Sequence, residues 1–197
     1  MNFLVFVLFI AWVFSIIMFH NMQYYFYKFI VGSIGMFFFI MYYFERVLSL
    51  PLSNVVAMVA GWMGNLTNLY TTLPLNSLIT ISTNSTNISF FIDYECSGVV
   101  EIFAFSCLLW FYPLYHFWEK VVINFFGILA IFFANVIRIY CICFIINVYG
   151  DNMFFFAHTI FGRIIFYLCS VILYFNVFTK PQILRQKVGH FSYDDHP

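Results

Sequence analysis

Charge is nearly missing from this chain, which has 8 Lys+Arg and 8 Asp+Glu in 197 residues and a formal net charge of +0. That scarcity excludes a water-soluble globule, because too little polar surface is available to cover a core. No basic run occurs anywhere, which argues against a protein that tracks a nucleic-acid backbone. The cysteines, at 96, 107, 141, 143 and 169, form no Cys-x-x-Cys pair, and four of them sit inside apolar runs. No structural zinc site is expected, and nothing points to a cofactor. His20, His116, His190 and His196 fall in loops or the tail, which leaves His158 alone in an apolar setting. The stretch after Met1 has no basic n-region and no clear small-residue cleavage site. It reads as a retained span, with a signal peptide as the alternative.

What is abundant is apolar surface: 64% of residues are hydrophobic and 30 are Phe. The expected fold class is therefore an all-α polytopic membrane protein. Apolar runs of bilayer-crossing length predict about six transmembrane helices, at 3–19, 29–44, 47–64, 96–115, 121–138 and 159–178. The third is the weakest, because Ser49, Pro51, Ser53 and Asn54 interrupt it. Between Asn65 and Glu95 the composition shifts to Asn, Thr, Ser and Leu, which marks one sizeable outer loop. Within it, Leu78–Ser82 and Ile88–Ile92 flank Thr83–Asn87, the pattern of a short β-hairpin. Three glycosylation sequons occur here, but a loop this rich in Asn and Thr makes them by chance. The chain thus divides into N-terminal helices (1–64), an extracytoplasmic loop (65–95), a transmembrane core (96–178) and a tail (179–197).

Cations set the expected orientation. With the 65–95 loop outside, Arg46, Lys120, Lys180, Arg185 and Lys187 are cytoplasmic, and only Lys28 lies in an outer loop. Six spans with both termini in the cytoplasm satisfy this arrangement.

Counting helical rise then brings reactive residues together. A helix starting after Lys120 climbs roughly 27 Å by Arg138, and a 20-residue helix counted back from Lys180 reaches the outer face near His158. Cys96 opens its own span at that face, so side chains from three spans share one depth. Residues 139–157 are too apolar for an ordinary loop and are broken by Tyr149-Gly150-Asp151-Asn152. They read either as a re-entrant hairpin or as an extension of the fifth helix to Val148, which would bury Arg138 about 15 Å deep.

These residue types suit acyl transfer. A thiolate is the nucleophilic form of cysteine, and a neighbouring cation or histidine favours it. His158 can exchange protons with Cys96 and a leaving amine, and Arg138 can donate to an oxyanion or hold the thiolate. Ser97 and Gly98 open the helix after Cys96, so the thiol also feels the positive end of a helix dipole. Each residue has a structural reading too: Cys107, Cys141, Cys143 and Cys169 read as packing, and a border arginine can be a snorkelling anchor. Glu101 and Arg163 each lie five residues beyond a site residue on parallel spans, which suggests an intramembrane ion pair that clamps the two helices. Arg138 is the rival partner for Glu101.

Cys96-Ser97-Gly98, Asn135-Val136-Ile137-Arg138 and His158-x-x-x-Gly162, in this order at the ends of hydrophobic spans, resemble the exosortase/archaeosortase family. The resemblance covers roughly residues 75–178. The compact size and the Phe, Tyr, Asn and Ile bias look like its Gram-positive or archaeal members, although six spans fall short of the eight or so in longer ones. The resemblance implies a membrane-embedded cysteine transpeptidase with Cys96, Arg138 and His158 as catalytic residues. Its substrate would be a membrane-anchored protein ending in a short motif, a hydrophobic helix and a basic tail, and a lipid or glycolipid is a possible acceptor. Asn135 is expected to orient Arg138, and Gly98 and Gly162 to allow close packing. A scaffold or assembly subunit for surface polymer export is the alternative function. A transporter has little support, since no inverted repeat or Gly/Pro-broken helix pair occurs.

Overall fold

The computed structural model describes residues 3–67, 69–73, 78–82, 87–92 and 94–183. The tail beyond Ile183, with Arg185 and Lys187, and the expected turn at 83–86 lie outside the described residues. Helix α1 (Phe3–Asn21) turns through Gln23, in the left-handed region at φ 58, into α2 (Tyr25–Thr67). Strands β1 (Thr71–Leu73), β2 (Leu78–Ser82) and β3 (Asn87–Phe91) follow. The short α3 (Tyr94–Ser97) leads into α4 (Val99–Phe111) and α5 (Phe117–Tyr149). After a 3-10 turn (Asp151–Met153), the last helix begins with a π-helical stretch (Phe156–Phe161), continues as α6 (Gly162–Tyr174) and ends in a second π-helical stretch (Phe175–Thr179).

Among the described residues three helices are long and apolar enough to cross a membrane: α2, α5 and the last helix, Phe156–Ile183. Helices α1 and α4 are shorter apolar helices. Six separate spans are not what forms. Expected spans 29–44 and 47–64 are one 43-residue helix that runs straight through Pro51. Among the polar residues that weakened the expected third span, Ser53 donates Oγ back to Ser49 O at 2.8 Å. Such back-bonding satisfies a hydroxyl inside apolar surroundings without ending the helix. Of the two readings of residues 139–157, the extended fifth helix forms and the re-entrant hairpin does not. α5 continues unbroken to Tyr149, and the chain reverses at Gly150, whose φ of 80 no side chain adopts easily.

The merged α2 changes which ends of the helices lie together. Trp12 Nε1 donates to Val31 O at 2.9 Å, Phe29 stacks edge-on to Tyr112, and Lys120 feels the charge of Lys28. The α1–α2 turn therefore lies beside the α4–α5 turn, and so does the end of the last helix, where Phe178 packs on Tyr112. The start of α1 lies at the opposite end, where Val5 and Phe6 border a groove with Tyr43. Six spans with both termini on one side does not describe this arrangement. Lys28 joins Lys120 and Lys180 at one end, while Arg46, eighteen residues along α2, is displaced from them by about 27 Å.

Between α2 and α3 the chain forms a three-stranded antiparallel sheet, order β1-β2-β3, in which β2 and β3 are the two strands expected as a hairpin and β1 is added to them. Ile79 and Ile81 of β2 are fully buried in a cluster with Val56, Ala57 and Ala60 of α2 and Ile139, Ile142, Cys143 and Ile146 of α5. Tyr70 ties the sheet to α2 by donating its hydroxyl to Ala60 O at 2.6 Å. A second cluster, Phe105, Leu109, Ile131, Ala134 and Phe166, fills the other half of the helix layer. The two apolar clusters meet at one level of α5, near Ala134 to Arg138. Large side chains on the outside, such as Trp118, Phe155 and Leu168, are well exposed, as lipid-facing residues of a membrane protein are.

Candidate active site

Four elements converge where the two clusters meet. Cys96, 7% exposed, sits in α3 at the end of the sheet. Its sulfur accepts from Arg138 Nη2 at 3.4 Å and lies 3.5 Å from His158 Nε2. Arg138 belongs to the middle of α5 and His158 to the π-helical stretch that opens the last helix. The three residues singled out in the sequence are thus gathered on one sulfur atom.

The backbone around the thiol is held as firmly as the side chain. Asn135, one turn before Arg138, donates Nδ2 to Cys96 O at 2.8 Å in a fully buried contact. This differs from the expected role, since Asn135 holds the cysteine backbone rather than the arginine. Gly98 reverses the chain between α3 and α4 with φ 82 and ψ 8, a conformation costly for L side chains. A Cβ there would come within 2.6 Å of Asn135 Nδ2. Glycine is required twice over, by its dihedral and by the approach of the amide. Ser97, also buried, accepts from Val99 N at 3.3 Å and closes the same turn.

Arg138 is 5% exposed, with its guanidinium 6.0 Å from the centroid of the Phe166 ring, a cation–π distance. Its Nε and the Oδ1 of Asn135 are buried with no hydrogen-bond partner among the described residues. One guanidinium thus contacts the sulfur through Nη2 and keeps a second donor uncommitted, and buried polar atoms left open in this way call for a functional reading. His158 is sandwiched by aromatics: Phe154 stacks on it at 5.7 Å and 10°, and Phe90 of β3 meets it edge-on at 6.4 Å. Gly162 lets the last helix approach α5, since a Cβ there would lie 2.8 Å from Ile142 Cδ1. Glu101 is half-buried on α4 and interacts with Tyr174, and Arg163 is exposed on α6 next to Gly162.

Phe90, Phe154 and Phe166 shape the site, yet nothing in the sequence separates them from the other phenylalanines. The π-helical stretch has no sequence signal either, although such stretches recur at functional sites. Among the described residues no group of three or more His, Cys, Asp or Glu could hold a metal ion.

These features define a membrane-helical protein with a buried thiol held between a guanidinium and an imidazole. The family model for transmembrane exosortase matches residues 1–175, and the chain belongs to that family. No curated protein and no solved structure matches the chain.

Proposed function

We propose that this protein is a membrane-embedded cysteine transpeptidase that cleaves a C-terminal sorting signal and passes the new carboxyl end to a membrane acceptor. Exosortase family membership supports a transpeptidase-type role. The observation that carries the finer reading is the double contact on Cys96 Sγ, from Arg138 Nη2 at 3.4 Å and His158 Nε2 at 3.5 Å. A guanidinium beside the sulfur, together with an imidazole that carries a proton on Nε2, favours the thiolate, the nucleophilic form, against the cost of its apolar surroundings.

In this reading the Cys96 thiolate adds to the scissile carbonyl, and Arg138 Nε, which makes no hydrogen bond with the described residues, donates to the oxyanion. The C–N bond breaks as His158 gives its proton to the leaving amine, leaving a thioester on Cys96 and a neutral imidazole. His158 then takes a proton from the acceptor nucleophile, which attacks the thioester and releases the thiolate. Asn135 and Gly98 act earlier, by fixing the backbone that presents the sulfur. A lipid or glycolipid acceptor at the membrane surface fits a site at this depth, and water in its place gives plain proteolysis.

The site faces the extracytoplasmic side in this proposal, because Lys28, Lys120 and Lys180 gather at the opposite end of the helix layer, and cations favour the cytoplasmic face. The test is thiol labelling of the purified protein in micelles. Iodoacetamide should modify Cys96 at least tenfold faster than Cys107, Cys141, Cys143 or Cys169, and His158→Ala or Arg138→Met should erase the preference. Equal labelling of all five cysteines would favour a scaffold.

A further inference from the structure

The sheet offers two edges, and they are treated differently. β1 lies along α2, so that edge is covered. β3 pairs with β2 from Leu78↔Phe91 to Ser82↔Asn87, and no described strand pairs with its other side. Edge strands are normally blunted by Lys, Pro, a bulge or a covering element, because their unpaired backbone groups recruit another strand. β3 reads Asn87-Ile88-Ser89-Phe90-Phe91, with neither charge nor proline, and its register with β2 advances without a bulge. Ser89 and Phe91 are exposed. An edge of this composition, with no strand partner among the described residues, favours an occupant that pairs with it.

The position of this edge identifies the occupant. Only four residues lie between Phe91 and Cys96, so the five steps from one to the other reach at most about 18 Å. Phe90 touches the His158 ring, and His158 lies 3.5 Å from the nucleophilic sulfur. An extended chain running along β3 therefore passes within one side chain of the reacting atoms.

We propose that the free edge of β3 binds the substrate peptide next to its scissile bond as a fourth strand, by main-chain pairing. This deepens the transpeptidase reading and rests on it. Strand addition takes affinity from backbone hydrogen bonds and specificity from alternate side chains. One set of substrate side chains meets the Phe90, Phe154 and His158 rings, so apolar or planar groups are selected at every second residue. The set between them lies level with Ser89 and Phe91 and is loosely selected.

The probe is acetyl-tetra-alanyl chloromethyl ketone, whose carbon is attacked by the Cys96 thiolate with loss of chloride, tested with the full-length protein in micelles. Its alkylation rate is compared with those of analogues N-methylated at each alanine in turn. N-methylation at alternate positions should slow Cys96 alkylation at least tenfold, and at the intervening positions less than threefold. Amide exchange over residues 87–91 should be at least tenfold slower at alternate residues in the peptide adduct than in the iodoacetamide adduct. Uniform N-methyl effects together with unchanged exchange would overturn strand addition while leaving the nucleophile in place. If iodoacetamide itself shows no preference for Cys96, the transpeptidase reading fails and strand addition fails with it.

Discussion

The turn that presents the thiol predicts a specific coupling between Gly98 and Asn135. Gly98→Ala places a Cβ at a left-handed φ of 82, which costs about 1–2 kcal/mol. It also drives that Cβ to 2.6 Å from Asn135 Nδ2, so the amide must move off Cys96 O. A buried carbonyl stripped of its donor costs about 1–3 kcal/mol. Gly98→Ala alone should therefore destabilise by about 2–5 kcal/mol in total. In an Asn135→Ala background the hydrogen bond is already gone, so Gly98→Ala should cost only its conformational part. The double-mutant cycle then returns a coupling of about 1–3 kcal/mol. Tryptophan fluorescence during SDS titration from mixed micelles reads the stabilities, and the Cys96 alkylation rate read in parallel should fall in both single variants. Additive stabilities, with a coupling under about 0.5 kcal/mol, would refute the claim that Gly98 and Asn135 act as one unit.

Other outcomes follow from the same packing. Arg138→Lys keeps the charge but loses the fork that serves Nη2 and Nε together, and should slow Cys96 alkylation about tenfold while leaving the fold intact. Burial raises the Tyr70 phenol above its usual value of about 10, so its protonated form favours the folded state. Stability should be flat below pH 10 and fall as pH rises above it, and Tyr70→Phe should remove that part of the fall while costing about 1 kcal/mol at pH 7. If Glu101 and Arg163 form the proposed clamp, Glu101→Gln should destabilise more than Glu101→Gln combined with Arg163→Met. Equal losses in the same SDS titration would count against the pair.

The site was more legible in the sequence than the span count, for physical reasons. Cys96, Arg138 and His158 stood out because a reactive group inside or beside an apolar run has few structural uses. Helical rise was enough to place them at one level. Their meeting did not require α5 to end at Arg138. α5 continues eleven residues further, and α2 and the sheet rise alongside it, so the arginine is deep in the protein and still beside the thiol. The span count went wrong at Glu45 and Arg46, the charged pair between the expected spans 29–44 and 47–64, because α2 carries both charges along one continuous helix. β1 has three residues, too short for an alternation pattern, and only pairing with β2 makes it a strand. Asn135 was legible as a neighbour of Arg138 by helical spacing, whereas its bond to Cys96 O spans 39 residues and comes only from the fold.

The central claim is that Cys96 removes C-terminal sorting signals from membrane proteins. It is tested most directly by comparing the C-terminal peptides of membrane proteins from source cells carrying the wild-type chain with those from cells carrying Cys96→Ala. Cys96→Ala cells should accumulate at least one protein retaining a C-terminal motif, hydrophobic helix and basic tail that wild-type cells lack. Identical C-terminal peptides in the two strains, with the variant present at normal levels, would contradict it.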